Sequence, residues 1–132
     1  MVEMAIVLPL FLLVIFTIVE FGRAMMVSQL VTNAARIGAR QAILEGSTNA
    51  AVDSTVRTFL QQSCNVTNSD VTIKTTITPD PENEDPANQV AKSSQGDMIT
   101  VNVSVAFDKV AFIPGTFLKG KRLVGIATMR RE

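Results

Sequence analysis

Histidine, tryptophan and tyrosine are absent from the 132 residues, and cysteine occurs once, at Cys64. Without histidine the commonest general base and metal ligand is missing. A single cysteine excludes an intrachain disulfide and a cysteine-rich zinc site. Phenylalanine is the sole aromatic type, so base stacking would fall to it alone. Charge is balanced, with 12 basic and 12 acidic residues, whereas a dedicated nucleic-acid binder carries a basic footprint. No nucleophile motif and no phosphate loop stands in the chain, so the reading is a non-enzyme with no cofactor, no metal centre and no nucleic-acid partner. Cys64 reads as a small buried hydrophobe, with an intermolecular disulfide or a free thiol as the alternatives.

What the chain does have is an apolar N-terminus, MVEMAIVLPLFLLVIFTIVEFGRAMMV. From Met4 to Val19 no side chain is charged; as a helix that stretch spans roughly 24 Å, short of a ~30 Å hydrocarbon core. Extending it past the usual ~20 residues brings Glu3, Glu20 and Arg23 into or beside the span, where ionisable groups are expensive and are functional candidates. Glu20 and Arg23 share a helix face and can pair at the interface, for little stability. Glu3 has no basic neighbour before Arg23, so its cation must come from an amino terminus, lipid or another molecule. Pro9 removes a backbone hydrogen bond and clashes with the preceding turn, reading as a kink or as a hinge that bends when copies pack together. A cleaved secretory signal is disfavoured: no Lys or Arg precedes the run, no clean small-x-small site follows, and the helical pattern continues. The missing basic flank also suggests that a leader has been removed.

Beyond Val27 the helix becomes amphipathic. Arg36 and Arg40 share a face with Gln29 and Asn33, and Leu30, Val31, Ala34, Ile37 and Ala42 supply apolar positions. Gly46 is the expected stop, giving a helical spine over residues 1–46. The remainder, 47–132, reads as an α+β head. A short helix capped by Ser47 or Thr48 carries Val52, Val56, Phe59 and Leu60 on one stripe. Two alternating segments, DVTIKTTIT and DMITVNVSVAF, read as an antiparallel pair. A third strand is expected from about Leu123 to Arg130, after a turn at Pro114-Gly115 and a basic cluster at Lys119, Lys121 and Arg122. The proline-rich acidic stretch 79–96, with Asp80, Glu82, Glu84 and Asp85, reads as a solvated loop without calcium-loop spacing. The predicted fold is thus α+β: a long N-terminal helix with a small head containing a short helix and a three-stranded antiparallel sheet.

The segment VEMAIVLPLFLLVIFTIVEFGRAMMVSQLVTNAARIGAR and the closing IATMRRE resemble the TadE-like pilins and pseudopilins of tight-adherence secretion and pilus systems, which are similar in logic to type IV pilins. The resemblance implies a subunit first anchored in the inner membrane, trimmed by a prepilin peptidase, and extracted by an assembly machinery into an extracellular helical filament of itself and other pilins. A minor pseudopilin or membrane-anchored assembly adaptor is the alternative. It further implies that Glu3 neutralises the amino terminus of an adjoining subunit and sets register, with Pro9, Glu20 and Arg23 as further assembly positions. Ile6, Leu8, Leu10, Leu12, Leu13, Ile15, Phe16 and Ile18 would pack the filament core. The family pattern places more residues between cut and glutamate than Met1 and Val2, so either the mature chain starts slightly earlier or cleavage differs.

Overall fold

The computed structural model describes residues 2–111 and 118–132, and the expected Pro114-Gly115 turn lies outside them. Helix α1 runs from Val2 to Ala42, 41 residues, or about 61 Å at 1.5 Å per residue. It continues through Pro9, with Glu3 in its first turn and Arg40 in its last, each charge opposing the nearby end of the helix dipole. The helix stops before the glycine that sequence suggested as its end. Ala42 is its last buried residue, and the chain then turns, with the Leu44 N–H donating to the Gln41 carbonyl and the Ser47 N–H to the Leu44 carbonyl. Gly46 adopts φ +72° in that turn, a conformation glycine takes without steric cost.

Helix α2, Asn49–Cys64, starts at Thr48, whose Oγ1 accepts from the Ala51 N–H at 3.2 Å. It ends where Asn65 turns left-handed at φ 54° and its N–H bonds the Gln61 carbonyl. Val52, Val56 and Leu60 lie buried on one stripe, with Phe59 packed at its margin. Strands β1 (Val71–Thr78), β2 (Met98–Ala106) and β3 (Arg122–Arg130) form one antiparallel sheet in the order β1-β2-β3. Alternation sets the faces: Ile99, Val101, Val103 and Val105 point into the core from the central strand, while Thr100, Asn102 and Ser104 face outward.

The helix and the sheet meet through small residues. Along α1 the buried positions are Glu20, Ala24, Val27, Val31, Ala34, Ala35, Gly38, Ala39 and Ala42, a stripe that stays on one side of the cylinder. A Cβ on Gly125 would stand 2.6 Å from both the Thr32 nitrogen and the Val31 oxygen. Strand β3 therefore lies directly on the α1 backbone. A Cβ on Gly38 would come within 2.6 Å of Val56 Cγ2 and 3.2 Å of Val101 Cγ1, so here α1 approaches α2 and β2 together.

Most of the acidic stretch 79–96 is exposed, Glu82, Glu84 and Asp85 among it, but it is anchored at a few points. Pro86, Val90 and Ser93 within it are buried, and side chains tie it down. Asn49 accepts from the Val90 N–H at 2.7 Å and donates to the Asn88 carbonyl, while Asn88 accepts from the Ile77 N–H at 2.8 Å. Buried backbone groups of a loop need such partners. Asn49 of α2 supplies them to the loop, and the loop's own Asn88 ties it back to β1.

Candidate functional site

Every residue from Glu3 to Val19 on α1 is exposed except Thr17, which is half-buried. The eight expected packing positions, Ile6, Leu8, Leu10, Leu12, Leu13, Ile15, Phe16 and Ile18, all have large exposed areas, from 38% at Ile15 to 71% at Ile6. These side chains point in all directions around the helix, so one apolar neighbour cannot cover them. A helix that is apolar all round belongs inside a larger core or a bilayer. Among the described residues one helix, Glu3–Ala42, is long and apolar enough to cross a membrane. The hydroxyl in the apolar stretch is satisfied internally, since Thr17 Oγ1 donates to the Leu13 carbonyl at 2.8 Å, as an apolar medium demands.

Glu3 and Pro9 sit at the exposed end of this segment. Proline has no N–H to offer the Ala5 carbonyl one turn earlier. Glu20 and Arg23 lie at the opposite end, where α1 meets the head, and here the structure refines the expected surface ion pair. Glu20 is only 3% exposed, and Arg23 Nε donates to the Val110 carbonyl at 3.1 Å. The pair therefore marks the seam between spine and head. Adjoining it is an apolar groove of ≈ 220 Å³ with Phe21, Ala24 and Met25 on one wall and Phe107, Leu118 and Leu123 on the other. Cys64 is buried; burial pushes its thiol pKa up, and the positive charge of Arg23 offsets this only in part. A raised thiol pKa leaves little thiolate for chemistry.

A second polar centre escaped sequence reading altogether. Asp97 is fully buried; its Oδ1 accepts from the Asp80 N–H at 3.0 Å and from Asn83 Nδ2 at 2.7 Å, and its Oδ2 from the Ser94 N–H at 2.8 Å. Burial alone would raise its pKa, but the Asn83 side chain, the two backbone donors and the Arg131 charge together bring it below the usual aspartate value. Its backbone takes part as well. The Arg131 N–H donates to the Asp97 carbonyl at 2.9 Å, and the Gly96 N–H donates to the Arg131 carbonyl at 2.8 Å. Arg131 also donates to the Val90 carbonyl and Ser93 Oγ, and Arg130 to Asp80 Oδ2. The closing Arg-Arg thus fastens the acidic stretch to the sheet. A single aspartate carries no periodicity, so only the long-range contacts could reveal it.

Among the described residues no group of three or more His, Cys, Asp or Glu is placed to hold a metal ion. The described residues present an apolar cylinder bearing one carboxylate near its tip, and a hydrogen-bonded head. No curated protein and no solved structure matches the chain. The family model described as TadE-like protein matches residues 1–40, which places the similarity on α1 and leaves the head outside it.

Proposed function

We propose that this chain is a structural subunit of an extracellular type IV pilus-like filament of the tight-adherence kind. It is held in the inner membrane by the N-terminal half of α1 before assembly and joins its neighbours through that same half afterwards. The observation that carries this reading is the exposed, all-round apolar segment from Met4 to Val19, joined without a break to the part of α1 that packs on the folded head. The match of residues 1–40 to TadE-like proteins supports it.

Leaving lipid for a helical core exchanges one apolar environment for another. Packing helices together restores apolar burial and adds dispersion contacts. Lipid tails are as apolar as leucine, so the set from Ile6 to Ile18 gains little hydrophobic energy on leaving the bilayer, and close packing must offset the several kcal/mol needed to sequester one carboxylate. A buried Glu3 then needs a cation. Pairing with an amino group of an adjoining subunit selects one longitudinal register among many similar apolar ones. Because the contact joins different surfaces of successive subunits, it extends into an open helix. A prepilin peptidase and an assembly machinery are the partners this route requires.

Cryo-electron microscopy of filaments sheared from producing cells tests the proposal. A shaft whose repeating unit fits this chain, with α1 at its centre, is the expected result. A shaft lacking the chain would replace a main subunit by a minor pseudopilin or membrane-anchored adaptor.

A further inference from the structure

We infer that the outer edge of β3 is a strand-addition site for an extended segment of a different polypeptide, one that alternates apolar residues with polar or acidic ones. The inference is independent of the filament reading, because strand addition can occur on a membrane-held subunit.

The sheet has two edges, and they are treated differently. On β1, Arg57 donates to the Val71 carbonyl at 3.1 Å and Asn88 accepts from the Ile77 N–H at 2.8 Å, so both ends of the edge are occupied. Lys74 stands exposed midway between them, and α2 runs alongside, with Asn49, Ala50 and Asp53 facing Ile73 and Thr75 across a shallow hollow. Side-chain caps, a central lysine and a covering helix are common means of blocking unwanted strand pairing.

Among the described residues strand β3 has no side-chain cap on its outward backbone groups and no central lysine, and the helix packed on it, α1, covers its inner face. Its inward-bonding residues are fixed by their partners: the Lys121 carbonyl accepts from the Phe107 N–H, and Arg131 exchanges bonds with Asp97 and Gly96. Alternation in an antiparallel pair then turns the N–H and C=O groups of Val124, Ile126 and Thr128 away from β2. Val124 and Ile126 are 47% and 57% exposed. The flanking arginines do not cover the edge. Arg122 reaches over the outer sheet face to Thr72 and Ser104, and Arg130 to Gly96 and Asp80. A row of outward donors and acceptors is matched only by another extended backbone, which identifies the occupant as a strand.

The side chains of that strand follow from its surroundings. On the outer face it would lie beside Val124 and Ile126, which favours apolar partners. On the inner face it would lie over the flank of α1 that continues past β3. Gly125 rests on Thr32, and further round the helix Gln29, Asn33 and Arg36 line an open polar groove with Ser28 and Thr32. Arg36 is exposed there, and an acidic residue on the incoming strand complements it. A second copy of this chain fits poorly. Antiparallel pairing of β3 with itself about a two-fold axis would reverse one α1 relative to the other, sending the two apolar halves to opposite ends. Pairing of β3 with a neighbour's β1 is opposed by Arg57, Asn88 and Lys74.

The test places a photo-crosslinking amino acid at Ile126 in the full chain within producing cells and maps the crosslinked peptides by mass spectrometry. In parallel, amide exchange at Val124, Ile126 and Thr128 is compared between purified full chain in detergent and the isolated crosslink-positive complex. The expected result is a crosslink to an alternating segment of another protein, with exchange at these amides slowed by ~100-fold or more. With the crosslinking amino acid moved to Val124, Ile126→Lys, which copies the guard of β1, should abolish the partner crosslink while leaving membrane insertion and the unfolding midpoint unchanged. Crosslinks confined to another copy of this chain, no crosslink, or equally fast exchange in both samples would overturn the proposal. So would unchanged partner crosslinking from Val124 in the Ile126→Lys background.

Discussion

The two halves of α1 both carry apolar residues, yet they solve different packing problems. From Met4 to Val19 the side chains are large and exposed all round, whereas from Ala24 to Ala42 the buried stripe is built mainly of Ala, with Gly38 at the tightest approach. Small residues let β2, β3 and α2 sit close to the helix backbone. Large residues without a stripe leave no preferred face, so only a surrounding medium or several neighbours can cover them. One continuous helix therefore serves as a core element at one end and as an unfilled interface at the other.

That contrast is tested most severely at Glu3. Glu3→Ala should leave insertion and head stability as they are but abolish or severely impair assembly, read by filament yield against membrane-fraction abundance; normal filaments would remove its role in register. Next, paired truncations weigh the covered core, through Leu60 of α2, against the exposed half of α1. Leu60→Ala, in the buried core, should cost about 2–5 kcal/mol in a urea unfolding titration, while Leu12→Ala should change the same midpoint by less than ~0.5 kcal/mol. Equal costs would mean that the N-terminal half is already packed on the head.

Gly125→Val probes the closest approach of sheet and helix. With backbone atoms of Val31 and Thr32 at 2.6 Å, the added carbons must push the elements apart, at about 1–3 kcal/mol or more. Asp97→Asn should cost about 1–3 kcal/mol, because an amide nitrogen replaces an oxygen that accepts from a buried donor. The pH dependence provides its signature. The folded pKa of Asp97 lies below its ordinary value, so its contribution is complete above the unfolded value and disappears as pH falls through the folded one. The Asp97→Asn variant should lose that part of the acid dependence, measured by unfolding midpoints from neutral to strongly acidic pH. Smallest, Thr48→Ala should cost about 1 kcal/mol through the lost α2 cap.

Local pattern made much of the architecture legible. The alternation in β2 identified all four of its buried residues, and the stripe of Val52, Val56 and Leu60 located α2 and its inward face. Thr48 was readable as a cap because its oxygen acts within the next turn. Glu20 was less legible. Its spacing from Arg23 suggested a surface pair, but the head closes over it. The loop was read as solvated from its prolines and acids, and the contacts that pin it reach to other elements, to Asn49 on α2 and to the Ile77 N–H on β1.

Composition and short-range periodicity were enough to specify the long helix, its unpatterned apolar half, the three strands and the lack of histidine chemistry, because each is a property of neighbouring residues. Folding in three dimensions was needed to settle which end of α1 is covered, why Gly125 must be glycine, and how Asp97 is held by Asp80, Asn83 and Ser94. Each depends on bringing groups from separate elements within contact distance, where hydrogen bonding and steric exclusion act on positions that no local repeat relates.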